Sequence, residues 1–206
     1  GGEDMRLIVV AVCGEMESGK GSVTNTLIEE GFFRVALGDP IKSLIAGGGP
    51  DHPLLKDLGK AGWPPRQAWQ TLGDESREVA GRPNVWADVA ITYLTYLSQF
   101  HPKPIRRFVI SDIRREFERA AIHNWAVRMG GDFECWRIVR PERSADSTHS
   151  SEVNIGEVAW DQVVINDGTR RGLGDTVRRM IDWITGDKPR PKSFPIEETI
   201  ALTGNA

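Results

Sequence analysis

The stretch Gly14-Glu15-Met16-Glu17-Ser18-Gly19-Lys20-Gly21-Ser22 has the residue types needed to hold a chain of phosphates. Glycines at both ends let the backbone turn where a Cβ would clash. Successive N–H groups of such a loop can face an anion, and a helix starting directly after it adds its positive dipole end. Lys20 is placed to reach the outer phosphates. Gly14, Ser18, Gly19, Lys20, Gly21 and Ser22 are thus the candidate ligands of a phosphate-bearing molecule. The spacing G-x-x-x-x-G-K is complete, but Gly21 occupies the position usually held by Ser or Thr. The hydroxyl available to help hold Mg²⁺ is therefore that of Ser22, one place later. The alternative reading is a glycine-rich β–α turn with a chance lysine; the apolar run before the loop and the helix-capable run after it favour the phosphate loop.

Further candidates follow other apolar runs. Ser111, Asp112, Arg114 and Arg115 come directly after Ile105–Ile110. An acid at a strand end near a phosphate loop can hold Mg²⁺ directly or through water, and Arg114 could neutralise charge on a transferring phosphoryl group. Asp112 could equally cap the helix that begins near Arg114. Asp39 and Lys42 stand where a second strand turns into a helix, and Lys42 could meet a substrate phosphate; Asp39 fits a helix cap as well. Arg66, Gln70, Gly73 and Arg77 are spaced four, three and four apart, so they share one helix face. That face is poor core material and suits a monophosphate and a base edge, the arginines acting as bidentate forks; otherwise it is a solvated stripe with Glu75 pairing locally. Arg137, Arg140 and Arg143 bracket the end of another strand, where a closing loop could bring an arginine onto the transferring phosphate and expel water. His149 lies alone in a polar loop, with no second ligand at zinc spacing. Asn166-Asp167-Gly168 could line a nucleotide base, though it is also simply good turn chemistry.

The elements that must position these residues alternate. Residues 6–13 are apolar without alternation, as in a strand buried on both faces of a parallel sheet. A helix follows Lys20, with Val23, Leu27 and Ile28 on one side, ending near Gly31. Residues 32–36 form a short strand. Helices are expected from Pro64 to about Val79 and over 85–100, a strand over 105–110, a helix over 115–129, strands over 133–139 and 162–165, and a last helix over 174–184. Residues 141–158 read as a polar loop or lid, and 187–206 as a proline-bearing tail on the surface. The implied architecture is a three-layer α/β fold with a central parallel sheet, spanning 5–186 as one domain, with ligands at the carboxyl ends of the strands.

Composition sets limits. The 206 residues suffice to bury a substantial core. A net charge of −3 argues against broad electrostatic binding to nucleic acid or to a membrane. No apolar run approaches the length of a membrane span. The segment before Met5 lacks the basic-then-apolar form of a leader. Two cysteines, each inside a strand, give no disulfide framework. A cytoplasmic setting is the expectation. The tryptophans, Trp63, Trp69 and Trp86 included, are expected in the core or as pocket wall.

Taken in order, Gly14–Ser22, Gly38-Asp39-Pro40-Ile41-Lys42, the Arg66-to-Arg77 helix, Val109-Ile110-Ser111-Asp112-Ile113-Arg114, His149-x-Ser151-Glu152 and Ile165-Asn166-Asp167-Gly168-Thr169 resemble the phage-type deoxynucleoside monophosphate kinases. Animal-type phosphomevalonate kinase is similar in the same places, through its glycine-rich loop and a Ser-Asp-x-Arg-Arg strand end. The resemblance implies a P-loop kinase with a helical acceptor-binding region over about 47–101 and a lid over about 141–158. It implies transfer of the γ-phosphoryl group of ATP to a deoxynucleoside monophosphate, with Mg²⁺. Lys20 and the loop amides would hold the donor, Ser22 and Asp112 the metal. Asp39, Lys42, Arg66, Gln70, Glu75 and Arg77 would hold the acceptor, and Arg114 and Arg140 would stabilise the transferring group. A phosphomevalonate-type acceptor or a non-catalytic nucleotide-binding module are the alternatives, and a homodimer is compatible with the resemblance. A GTP switch would need an Asn-Lys-x-Asp reader, which Asn166-Asp167-Gly168 is not. An ATPase clamp would need a glutamate beside Asp112, where Ile113 stands.

Overall fold

The strand before the glycine-rich loop, β1 (Ile8–Gly14), is buried at all seven residues. It has no polar face because both faces are covered. Leu7, Val9, Ala11 and Cys13 enter one apolar cluster, while Ile8, Val10 and Val12 enter the other. In the computed structural model, residues 6–15, 17–39, 81, 84–140, 158–167 and 169–186 are described. The described strands are β1, β2 (Phe33–Val35), β3 (Arg107–Ile110), β4 (Asp132–Val139) and β5 (Gln162–Ile165). They form a parallel sheet in the order β2-β3-β1-β4-β5. Parallel pairing requires crossovers, and the helices that make them cover the sheet.

On one face lie α1 (Lys20–Glu29) and α4 (Arg170–Ile184), whose Val23, Leu27, Leu173, Val177, Met180 and Ile181 pack on Val10, Val12 and Trp136. A Cβ at Gly174 would lie 3.7 Å from Thr26 Oγ1 of α1, an ordinary van der Waals contact between the two helices. On the other face lie α2 (Val85–Thr95) and α3 (Glu116–Arg128). Phe108 meets Trp125 edge to face at 6.2 Å, and the Trp125 indole N–H donates to Thr95 Oγ1 at 2.9 Å. That hydroxyl in turn donates to the Ile91 carbonyl at 2.8 Å, so the buried indole is satisfied without water. Beyond Thr95 the helix loosens into a π turn over Tyr96–Phe100 before Pro102. The sandwich is therefore the expected three-layer α/β fold.

Some boundaries and packing expectations shift. The last helix begins at Arg170, four residues before the expected start, because Thr169 caps it: its Oγ1 accepts the Gly172 N–H at 3.1 Å. Gly172 and Gly174 mask that start in the sequence. Ile28 is 42% exposed rather than packed, since α1 buries Val23 and Leu27 on a narrower stripe. Trp86 is only 7% exposed, so it belongs to the interior and offers no ring to a ligand. Among the described residues no helix is long and apolar enough to cross a membrane. The expected helix after Pro64, the 141–158 lid and the 187–206 tail lie outside the described residues.

Candidate phosphate-binding cleft

The loop after β1 is built from left-handed backbone. Gly14 has φ +145°, Glu17 φ +60° and Gly19 φ +107°. For Gly14 and Gly19 geometry doubles the demand: a Cβ on Gly14 would lie 2.5 Å from the Ile138 carbonyl oxygen, and one on Gly19 2.5 Å from Asn166 Nδ2. Glu17, with a Cβ and positive φ, is a sparsely populated conformation of the kind held only by a constrained loop. Ser18 is 3% exposed, and its hydroxyl has no hydrogen-bond partner among the described residues. It is tucked 2.9 Å from the position a Gly14 Cβ would take.

Lys20, the first residue of α1, folds back over the loop. Its ammonium donates to the Gly14 carbonyl at 2.6 Å and to the Glu15 carbonyl. The charge is thereby fixed over the loop mouth by uncharged acceptors, which a phosphate oxygen can replace with stronger, charge-assisted bonds.

A cleft of about 470 Å³ opens over the loop, lined by Glu17, Gly19, Lys20, Gly21, Ser22, Arg140, Asn166, Arg170 and Leu173. It sits at the carboxyl ends of β1, β4 and β5, where open α/β sheets bind ligands. Arg140 is the first residue after β4, so the fold brings it to the loop as expected. Arg170 is an addition, and Asn166, read from the sequence as either the lining of a nucleotide base or simple turn chemistry, also lines the cleft. Arg170 escapes a sequence reading that starts the last helix too late, and the Asn166-Asp167-Gly168 signal is that of an ordinary turn. In the structure the Asn166 backbone N–H donates to the Val139 carbonyl at 2.8 Å, while its side-chain Nδ2 donates to the Ser18 carbonyl at 2.9 Å.

On the other flank, Ala11 pairs with Ile110, so Asp112, two residues on, stands beside the end of β1. Its carboxylate accepts the Leu37 N–H at 2.7 Å and the Gly38 N–H at 2.9 Å. The reading of Asp112 as the cap of the following helix is overturned. The first amides there, Arg114 and Arg115 N–H, donate to Glu118 Oε2 at 3.0 and 3.1 Å. Glu118 is 4% exposed and closes its own helix end. A side chain turning back one helical turn leaves Asp112 free to bind another strand's loop. Arg114 is exposed and does not line the cleft. The Asp39 carboxylate accepts from Arg34 Nη1 at 2.9 Å. Lys42, Arg66, Gln70, Glu75, Arg77, Arg143 and His149 lie outside the described residues. Among those described, no cluster of three or more His, Cys, Asp or Glu side chains could hold a metal.

Beneath the loop the two cysteines meet. Cys13 and Cys135 are both fully buried, free thiols with Sγ atoms 3.8 Å apart. The hydrogen bond from Cys135 holds the Cys13 thiol below its ordinary value against the opposing effect of burial, helped by the charges of Arg137 and Lys20. Cys135, as donor and buried, is pushed up.

No family model and no curated protein matches the chain. Solved structures do. Dephospho-CoA kinase from Campylobacter jejuni superposes with a TM-score of 0.52 at 14% identity, covering 87% of this chain and 98% of that one. TT1252 from Thermus thermophilus gives 0.49 at 19% identity, covering 88% and 100%. The APS kinase CysC of Mycobacterium tuberculosis gives 0.42 at 17% identity, covering 86% and 98%. At these identities the likeness is one of fold alone: a central parallel five-stranded sheet between helices.

Proposed function

We propose that this chain is a P-loop phosphotransferase that moves the γ-phosphoryl group of ATP to a deoxynucleoside monophosphate. The observation that carries the reading is the cleft itself. A left-handed glycine (Gly19), a folded-back lysine and two arginines from different elements line one opening at the carboxyl ends of the strands. In the P-loop kinase fold that opening is where a nucleoside triphosphate fits.

The loop N–H groups and Lys20 would receive the donor phosphates, Lys20 exchanging the Gly14 and Glu15 carbonyls for phosphate oxygens. Arg140 and Arg170, which line the cleft, would neutralise charge on the group in transfer. Mg²⁺ suits the oxygen donors present. Ser22 lines the cleft, and each Asp112 oxygen accepts one N–H although a carboxylate has about four acceptor positions. When bound, Mg²⁺ would spread the phosphate charge and align the donor oxygens. Ile113, 2% exposed, follows Asp112, so no second carboxylate stands there to activate water. A phosphate acceptor is already ionised at neutral pH and needs no general base. The acceptor assignment rests on the resemblance at Asp39, Lys42, Arg66, Gln70, Glu75 and Arg77. With Trp86 interior, Trp63 and Trp69 are the tryptophans left in that segment to stack on a base.

The test is a coupled ADP-release assay across deoxynucleoside monophosphates, ribonucleoside monophosphates and phosphomevalonate, with Lys20→Ala as control. Turnover with one or more deoxynucleoside monophosphates, lost in Lys20→Ala, is expected. Turnover with phosphomevalonate alone would move the acceptor to that class, and no turnover with any monophosphate would sink the reading.

A further inference from the structure

The loop that receives the phosphates is held from a strand that is not its neighbour. β4 lies between β1 and β5 in the sheet, yet the side chain at the end of β5 crosses to the loop after β1. We infer that Asn166 is a positioning residue that sets the shape of the phosphate loop, an inference that rests on the phosphotransferase reading of that cleft.

Three contacts converge. The Asn166 backbone N–H is fixed to the Val139 carbonyl at 2.8 Å, its Nδ2 donates to the Ser18 carbonyl at 2.9 Å, and the same Nδ2 lies 2.5 Å from where a Gly19 Cβ would be. A carbonyl can only accept, so the Asn166 atom facing Ser18 is the amide nitrogen. The chain of bonds Val139–Asn166–Ser18 thus links the ends of β4 and β5 to the loop. Because the tie engages a loop carbonyl, it turns that peptide's dipole outward and leaves the loop's N–H groups to face an anion. A donor is the only kind of group that can do this, since an acceptor in the same place would consume an N–H group that the phosphates need. Arg140 is covalently next to Val139, so one anchor fixes both the loop and an arginine of the cleft. Gly19 is required twice over, by its φ of +107° and by the amide packed against it.

The consequence is specific: Asn166 should matter for phosphates rather than for a base. Asn166→Ala is expected to weaken binding of ATP and of inorganic tripolyphosphate by the same factor, on the order of 10-fold for one lost hydrogen bond and a loosened loop. The measurement is calorimetry with each ligand, well below the melting temperature of the variant. Hydrogen exchange in the ligand-free protein supplies a second readout, and the amides of residues 17–21 should exchange faster in the variant. A variant that loses ATP affinity but keeps tripolyphosphate affinity would make Asn166 a base contact and overturn the inference. So would a variant with a lower melting temperature but unchanged affinities and unchanged exchange at 17–21. If the native protein binds neither ligand while the exchange difference persists, the tie stands and the phosphotransferase reading falls.

Discussion

The two flanks of the cleft close their strand ends with opposite chemistry. On the β4–β5 side, a neutral amide donor, Asn166, holds the loop by a carbonyl. On the β2–β3 side, a carboxylate, Asp112, holds the turn after β2 by two N–H groups, Leu37 and Gly38. The first engages a loop acceptor rather than a loop N–H group and sits among Lys20, Arg140 and Arg170. The second uses up N–H groups and leaves a negative charge beside the end of β1. On the proposed function, the loop that would bind phosphates is braced through an acceptor, and the turn beside Asp112, the proposed metal ligand, is braced through its donors.

The largest effect should come from the ligand-facing side. Lys20→Ala is expected to lower kcat/KM by 100-fold or more, an order-of-magnitude figure for removing one electrostatic stabiliser, with little change in melting temperature because water can serve the Gly14 and Glu15 carbonyls it releases. A steady-state assay beside a thermal melt checks both halves. An equal loss of stability would make Lys20 a structural clasp instead.

Asp112→Asn probes the other flank and should move stability and metal dependence together. One amide acceptor becomes a donor facing an N–H group, at a cost of about 1–3 kcal/mol. At this chain length that is roughly 2–4 °C per kcal/mol in Tm. The Mg²⁺ concentration for half-maximal activity should rise as well. A fall in Tm with an unchanged Mg²⁺ requirement would reduce Asp112 to a brace.

Glu118→Ala should cost about 1–2 kcal/mol, because the Arg114 and Arg115 N–H groups lose their acceptor. Since Arg114 follows Asp112 so closely, a drop in kcat beyond the stability change would link that helix end to turnover, and urea melts with kinetics separate the two. Thr169→Ala removes a helix cap for about 1 kcal/mol, readable as a small shift in the urea midpoint.

The smallest effect is a pH effect away from the cleft. The Glu116 carboxyl is held below its ordinary value of 4.5 by its bonds to Arg119, against the opposing effect of burial and with help from the Ala159 N–H. A depressed folded value means the contribution is present above 4.5 and is lost as pH falls through the lower folded value. Glu116→Gln should therefore lower Tm at neutral pH and flatten the acid limb of the Tm–pH curve. The pair is partly exposed, so solvent screening keeps the difference small.

Much of this was legible before any coordinates. The unbroken apolar run before Gly14 announced a doubly covered strand, and the glycine spacing with Lys20 announced the loop. Arg140 was legible because it directly follows a strand. Arg170 was not, since Gly172 and Gly174 hide a helix start that Thr169 alone marks. Asn166 was not, because an Asn-Asp-Gly string is equally good turn chemistry, and its partner is 148 residues away. Asp112 was half legible: its place at a strand end could be read, but not its choice between a helix cap and another strand's turn. Glu118, in the first turn of the helix, takes the Arg114 and Arg115 amides just before it, while Asp112 accepts from Leu37 and Gly38.

The sequence by itself located the five strands and, apart from the start of the last, the helices of the described residues, because periodicity and caps act over a few residues. It also determined that a phosphate-type loop follows the first strand, because glycine spacing is a local demand. Only the tertiary structure decided which strand ends meet, since strand order sets which side chains face one another across the sheet. It placed Cys13 against Cys135, Asp112 against Leu37 and Gly38, and Asn166 against Ser18. Local chemistry wrote the loop; the long-range hydrogen bonds of Asn166 and Asp112 gave it its flanks.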